Sequence, residues 1–460
     1  MDEIRFGTNG WRGIFGAGFS AEGAERLALA LARELGAPAR RPRVIVAYDT
    51  RAHASAVAGR AAAVLAGGGA DALLCDAPTA TPVAAFQVRA RRAAAGYVVT
   101  ASHNAPDYLG VKIFAAGGES APRAFVDRLA ARANATPQTR AALRAPPRLL
   151  RDAPRAYIAR LARCLDVASI RRARPRVLYD AMHGVGAGTL DRALRSLGAH
   201  VETRRAAIDP RFGGGAPDPT RARLRGFGAA VRAGGFAFGV ASDGDADRFV
   251  LVDARGRLFS ETDALALLID HLAATRRLAR GLAISLATGS VAERVARARG
   301  LAVHRVGIGF SPLSAALREG RADLAGEESG GFAWRALGLD KDGIAAAAIA
   351  LEGVALGEPL HQRQARLTRE HGRSACGRTA TQATAAALRA LARLAAAPPA
   401  RVAGAAVRGA VVRDGVRVGF DDGFLYWRAS GTEPVVRVYA EAPSPQQLSR
   451  RLAAGLARLR

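Results

Sequence analysis

Short apolar runs bounded by turn residues recur along the chain, and three of them open the same succession of elements. Arg43-Val-Ile-Val-Ala-Tyr48 predicts a buried strand, Asp49-Thr-Arg51 a turn, and the stretch to about Leu65 a helix. Arg176-Val-Leu-Tyr-Asp180 is followed in the same way by Met182-His-Gly-Val-Gly186 and a helix to about Leu197. Leu282-Ala-Ile-Ser-Leu286 is followed by Thr288-Gly-Ser290 and a helix to about Arg299. Each unit returns to a short strand, at Ala72–Cys75, His200–Thr203 and Leu301–His304. Strand, turn, helix and strand in that order build parallel sheets with helices on both faces, and such sheets bind ligands at the carboxyl ends of their strands.

The last stretch breaks this pattern. A helix is expected around 380–396, strands near Gly409–Val418, Leu425–Arg428 and Val435–Glu441, and a closing helix from Gln446 onward. It reads as a smaller α+β domain. The expected fold is therefore three tandem α/β domains, mixed sheets with helices on both faces, plus a smaller α+β C-terminal domain. Boundaries are expected at the Ala145-Pro-Pro-Arg148 linker, at the Ala254-Arg-Gly256 turn and near 365–375, giving units 1–146, 147–255, 256–370 and 371–460. The third unit is expected to end near 365–375 because that stretch, rich in Arg, Gln and His, shows no strong periodicity.

The most informative chemistry lies between two apolar runs, Phe236–Ala241 and Phe249–Asp253. There Asp243, Asp245 and Asp247 alternate with Gly244 and Ala246. Three carboxylates so close repel one another unless a cation sits among them, and a hard divalent ion such as Mg2+ takes oxygen ligands. A calcium loop of the helix–loop–helix kind needs Gly at its sixth position and Glu at its twelfth; Arg248 and Ala254 stand there. A solvated acidic turn is the plain alternative.

Charge and composition narrow the rest. The formal charge is +27, which by itself suggests an anionic partner. The positive charge is almost all arginine, spread along the whole chain without a basic tail, so no nucleic-acid binding is expected. Against that background Lys112 and Lys341 are the only lysines. Lysine is a compact charge whose pKa shifts readily on burial. Cys75, Cys164 and Cys376 show no metal spacing and are expected as reduced, mostly buried thiols. The first residues lack an apolar signal core, and no run of about 18 apolar residues suggests a membrane span. A cytoplasmic protein without a membrane partner, monomeric or dimeric, is the expectation.

Four further segments carry candidate chemistry. Thr100-Ala-Ser-His-Asn104 follows the strand-like Gly96-Tyr-Val-Val99 and exposes Ser102 at a sheet rim, as a nucleophile or as a turn cap. Lys112 follows ten residues later, within reach of the same place. Gly326-Glu-Glu-Ser-Gly-Gly331 could grip sugar hydroxyls, or simply turn the chain. Arg428-Ala-Ser-Gly-Thr-Glu-Pro434, with Arg437 beyond, offers two guanidinium groups, hydroxyls and backbone N–H groups for a phosphate. Phe6-Gly-Thr-Asn-Gly-Trp-Arg-Gly13 places Arg12 in a glycine-rich loop before the first helix.

Taken together and in this order, these segments resemble the α-D-phosphohexomutase superfamily, and the phosphoglucomutase/phosphomannomutase group within it. The resemblance runs from Phe6 to Glu441. It implies a Mg2+-dependent phosphohexomutase that interconverts hexose 1-phosphate and hexose 6-phosphate, with glucose first and mannose next. Ser102 matches the serine that carries the phosphoryl group, and with Asp243, Asp245 and Asp247 it completes the site for one Mg2+. Arg12, Lys112, His103 and Arg248 fall among the catalytic positions around it. Glu327 and Ser329 match the sugar-gripping pair. Arg428, Ser430, Gly431, Thr432 and Arg437 match the loop holding the phosphate that is not being transferred. A hexose 1,6-bisphosphate is the implied intermediate and primer.

The chain departs from the family pattern at Ala105, Leu109, Ser311 and Phe332. Ser311 stands where the family often has lysine, which puts sugar preference in question. A phosphoglucosamine mutase is the alternative within enzymes, and a non-catalytic sugar-phosphate-binding relative the alternative outside them.

Overall fold

The computed structural model describes residues 3–7, 10–36, 41–136, 145–431 and 433–460. The first unit shows how the strand sequence dictates the layers. In Arg43–Tyr48, Ile45 and Ala47 point to one apolar cluster, while Val44, Val46 and Tyr48 point to another on the opposite face. Successive side chains on a strand alternate between faces, and here both sets are buried. Both faces must therefore be covered, as parallel sheets require. Helices Ala21–Leu35, Ala54–Gly67 and Arg123–Asn134 contribute to one cluster and Thr81–Ala90 to the other.

The three α/β units share one sheet order. In the first, Asp71–Cys75, Arg43–Tyr48 and Ala95–Val99 run parallel, and Tyr108–Ala115 joins them antiparallel. In the second, His200–Arg204, Arg176–Asp180 and Phe238–Ser242 are parallel and Phe249–Asp253 is antiparallel. In the third, Val303–Val306, Leu282–Ser285 and Leu324–Gly326 are parallel and Phe332–Trp334 is antiparallel. The first sheet is extended by Gly18–Phe19 and Trp11–Phe15 at one edge and by Arg148–Leu150 at the other. In every unit the chemistry-bearing segment is the loop between the third strand and the antiparallel fourth. Ser102 sits on it in the first unit, the three aspartates in the second, and Glu327 with Ser329 in the third.

The C-terminal unit is a fully antiparallel sheet in the order Ala375–Gln382, Val435–Ala442, Gly423–Ala429, Val416–Phe420, Gly409–Val412. Helices Ala385–Ala396 and Pro445–Ala457 cover it.

Helix Gly343–Ala355 ties the units together. It is apolar nearly all round and almost wholly buried, as such a helix must be. It packs on Val167–Ala173 and Leu190–Leu197 of the second unit and on Glu261–Thr275 of its own. Its one buried charge, Glu352, is satisfied by His271 Nε2 at 2.7 Å, Arg276 Nη2 at 2.5 Å and the Asp166 N–H at 2.5 Å. No single described helix is long and apolar enough to cross a membrane.

Several sequence expectations are corrected. Arg12 lies on strand Trp11–Phe15, paired with Gly110, and not in a loop. Leu360–His371 is a helix; its buried side includes Arg363 beside Leu360 and Leu367, so a charged residue interrupts the apolar stripe. Ala375–Gln382 is a strand where a helix was expected to begin. The third return strand starts at Val303, not Leu301. The 409–418 run is a hairpin that turns at Asp414 and Gly415, both with positive φ. Of the cysteines, Cys75 is buried, Cys164 half-buried and Cys376 exposed.

Candidate active site

Ser102 sits at the carboxyl end of strand Ala95–Val99 with φ of 53°, a left-handed backbone that a side chain rarely adopts. The surrounding loop is held by one buried arginine. Arg51 donates to the carbonyls of Ser102 at 2.8 Å, Asn104 at 2.6 Å, Ala105 at 2.6 Å and Tyr108 at 3.0 Å. Asp49 orients Arg51 and also accepts from Thr100 Oγ1 at 2.6 Å. Thr100 Oγ1 in turn accepts the Ser102 N–H at 2.8 Å. A strained backbone persists where its surroundings over-determine it, and five hydrogen bonds do so here.

The aspartate loop meets this serine directly. Ser102 Oγ donates to Asp243 Oδ2 at 2.9 Å. The approach requires glycine at 244, because a Cβ there would lie 2.6 Å from the Ser102 carbonyl oxygen. Ala246, with φ of 59°, turns the loop so that ligand oxygens of Asp243, Asp245 and Asp247 all come within 4.8 Å of one another. All three carboxylates are buried.

Cations and hydroxyls surround them. Lys112 Nζ is 2.6 Å from both Asp245 and Asp247, and Lys341 Nζ is 3.1 Å from Asp247. Thr81 Oγ1 donates to Asp245 at 2.6 Å. Arg248 Nε is 3.1 Å from Asp243, and its Nη2 is 3.2 Å from Asp218. Burial pushes the Asp243 carboxyl up to about 7, with Asp247 and Asp245 adding to it. Burial also opposes charge on Asp247, but Lys112 and Lys341 outweigh it and hold that carboxyl well below its usual range. Among the described residues, Asp245 Oδ1 and Asp247 Oδ1 are buried without a hydrogen-bond partner. Each such orphan costs roughly 1–3 kcal/mol unless a ligand satisfies it. A hard divalent cation suits this all-oxygen donor set.

The remaining predicted residues divide between two adjoining cavities. The larger, of 550 Å³, is lined by Ser102, His103, Arg248, Glu327, Ser329, Arg428 and Arg437, among others. It thus draws on all four units. The smaller, of 310 Å³, is lined by Lys112, Asp247, Ser311, Asp414 and Gly431, among others, and shares Lys341 and Arg428 with the first. Ser430 lines neither of these two, and Thr432 lies outside the described residues. Arg12 reaches the serine loop through Asn104 Oδ1 at 2.8 Å. His103 Nδ1 is 3.4 Å from Ser102 Oγ; burial and the nearby Arg248 and Arg12 lower its pKa and so favour the neutral ring.

On the Gly326–Gly331 loop, Ser329 Oγ donates to Glu327 Oε1 at 2.6 Å. A short bridge between Arg248 and Gly331 joins this loop to the aspartate loop. Glu328 is pushed up to about 7 by burial and by Glu327. In the C-terminal unit Arg428 pairs with Asp414 at 2.9 Å and Arg437 with Glu433 at 2.9 Å.

Sequence reasoning missed part of this assembly. Lys341 was signalled by the rarity of lysine but not placed at the aspartates. Asp49, Arg51 and Thr81 gave no signal, since one arginine among so many carries no mark of burial.

The comparisons agree with this architecture. Models of the phosphoglucomutase/phosphomannomutase family match the chain throughout: alpha/beta/alpha domain I over residues 3–140, domain II over 155–256, domain III over 261–371 and the C-terminal domain over 379–459. A phosphoglucomutase/phosphomannomutase from Thermococcus kodakarensis is 30% identical, covering 98% of this chain and 97% of its own. A phosphoglucosamine mutase from Delftia acidovorans is 31% identical, again covering 98% and 97%. Among solved structures, a Thermus thermophilus chain provisionally named phosphomannomutase superposes with a TM-score of 0.86 at 31% identity, covering 99% of each chain. A four-unit cleft with a serine against three aspartates, matched over its whole length by mutases, has one reading: the chain belongs to the phosphoglucomutase/phosphomannomutase family of the α-D-phosphohexomutase superfamily, whose members are intramolecular phosphotransferases.

Proposed function

We propose that this protein interconverts hexose 1-phosphate and hexose 6-phosphate through a phosphorylated Ser102 and a hexose 1,6-bisphosphate, with glucose phosphates as the preferred substrate and mannose phosphates next. The observation that carries this reading is Ser102 Oγ at 2.9 Å from Asp243, beside two buried carboxylate oxygens that lack partners. Asp243, Asp245, Asp247 and an oxygen on Ser102 are the groups that would hold Mg2+. When bound there, the ion would neutralise charge on the transferring group.

The chain's own residues account for the rest. The fixed Ser102 loop holds the phosphoryl donor in place, and prior positioning of reacting groups lowers the barrier. The phosphorus–Oγ bond breaks as a sugar hydroxyl forms the new phosphorus–oxygen bond, and the hydroxyl proton ends on the freed Ser102 Oγ, with the positive charge of Arg12 and Lys112 beside it stabilising the oxygens that exchange it. Glu327 and Ser329 hold sugar hydroxyls. Arg428 and Arg437 hold the phosphate that is not moving, so the bisphosphate can turn end for end and return its other phosphoryl to Ser102. A positively charged chain favours encounter with such anionic sugars.

A phosphoglucosamine mutase is the second reading, supported by relatives of that name at about the same identity. One experiment separates these readings. The purified protein is analysed by intact mass for phosphate on Ser102, then assayed with glucose, mannose and glucosamine 1-phosphates and a 1,6-bisphosphate primer. The expected result is phosphate lost in Ser102→Ala and turnover fastest with the glucose compound. Fastest turnover with glucosamine 1-phosphate would decide for the second reading. Phosphate persisting in Ser102→Ala would refute the serine assignment.

A further inference from the structure

Arg428 is held in place by a residue that the sequence did not mark. Asp414 stands at the tip of the hairpin between Gly409–Val412 and Val416–Phe420. Its Oδ2 accepts from Arg428 Nε at 2.9 Å. The same oxygen accepts the N–H of Ile308, at 3.2 Å, from the third unit. One carboxylate thus joins the phosphate-loop arginine to the backbone of a different domain.

The tip is built to hold that carboxylate still. Tyr426 Oη donates to the Asp414 carbonyl at 2.6 Å. Gly415 lies so close to strand Gly423–Ala429 that a Cβ would fall 2.2 Å from the Trp427 carbonyl oxygen. Asp414 itself has φ of 52°. The backbone around Ile308 runs directly into Ser311, and Ile308, Ser311, Asp414, Arg428 and Gly431 line one cavity.

The choice of nitrogen matters chemically. A carboxylate on Nε engages the inner side of the guanidinium. The outer pair of nitrogens then keeps the planar fork that binds a phosphate with two parallel hydrogen bonds. A carboxylate that merely competed with substrate would sit across that fork.

We propose that Asp414 is a positioning residue for the non-transferring phosphate: it fixes the angle of Arg428 and links that angle to the register between the third and fourth units at Ile308. This rests on reading the 428–437 loop as the holder of that phosphate.

The test uses the full-length enzyme and whichever of glucose, mannose and glucosamine 1-phosphates turns over fastest. Asp414→Gly removes the carboxylate and tolerates the left-handed backbone. Asp414→Asn keeps one acceptor oxygen without the charge. Removing the carboxylate raises KM about fivefold, the size expected of a half-exposed ion pair, while kcat stays within about twofold. Asp414→Asn falls between wild type and Asp414→Gly. In an Arg428→Ala background, Asp414→Gly adds nothing further, because its effect passes through Arg428. An unchanged or lowered KM in Asp414→Gly would overturn the proposal, and so would additive losses in the double variant. If Arg428→Ala by itself leaves KM unchanged, the phosphate-loop assignment fails first, and that outcome is visible before Asp414 is considered.

Discussion

The aspartate loop and the Arg428–Arg437 loop meet at one cleft, yet they are built in opposite ways. Asp243, Asp245 and Asp247 are at most 1% exposed and are gripped by Lys112, Lys341, Arg248 and Thr81. In the other loop Ala429, Gly431, Glu433 and Pro434 are exposed, and the two arginines are paired within their own unit. On the proposed function, the difference follows from what each must do. Phosphoryl transfer depends on charge placed in advance within a dry, fixed geometry. A loop that grips either end of a reorienting bisphosphate has to admit and release it, so it stays open to solvent. On the proposed function, transfer is the work of the topologically equivalent loops of the first two units, while the third such loop and a separate antiparallel unit supply recognition.

The contrast can be broken most severely at the proposed metal ligands. Asp245→Asn keeps the shape of the side chain but weakens the cation site. Turnover should fall about a thousandfold, as expected for a loss of some 4 kcal/mol of transition-state stabilisation. Steady-state kinetics with and without added Mg2+ measure this, and turnover near the wild-type rate would remove the aspartates from the mechanism.

A tenfold or larger rise in KM, with kcat changed far less, is expected for Arg428→Ala. A charge-assisted hydrogen bond to phosphate contributes roughly 1.5–3 kcal/mol. A fall confined to kcat would instead place Arg428 with the transfer half and erase the distinction between the two loops.

The smallest effect is on stability, and it compares two glycines. In Gly244→Ala the new methyl group meets the Ser102 carbonyl, and overpacking of this kind costs about 1–3 kcal/mol. In Gly431→Ala it meets no described atom within 4 Å, so the change should stay within about 0.5 kcal/mol. Denaturant titration of the two variants gives the comparison directly. Equal losses would mean that the recognition loop is packed as tightly as the aspartate loop.

How far the sequence carried these conclusions depends on the range of the interaction. The Asp243–Asp247 spacing, the Ser102 segment and the Arg428–Arg437 segment are local patterns, and local chemistry explains why those residue types stand together. The strand–turn–helix–strand repeat is local in the same sense, since each strand precedes the helix that covers it. The equivalence of the three functional loops is not local. It exists only once the third strand of each unit pairs parallel to the first and the fourth folds back. Arg12 was misplaced because glycines on both sides imitate a loop, whereas pairing with Gly110 makes the segment a strand. Leu360–His371 hid its helix because Arg363 is buried by its ion pair with Glu358 rather than by apolar character.

The sequence by itself determined the fold class and the family resemblance, and it singled out the serine, the aspartates and the two arginines of the 428–437 segment as candidates. Each of these is a short run of residue types whose chemistry is complete within a few positions. Only the tertiary structure decided that Arg51 staples the serine loop, that Lys341 reaches Asp247 and that Asp414 bridges Arg428 to Ile308. The Arg51–Ser102, Lys341–Asp247 and Asp414–Ile308 links span between 51 and 106 residues of chain, whereas Asp414 and Arg428 are 14 apart. Burial and long-range pairing, which no local pattern encodes, turn three ordinary charged residues into parts of the site.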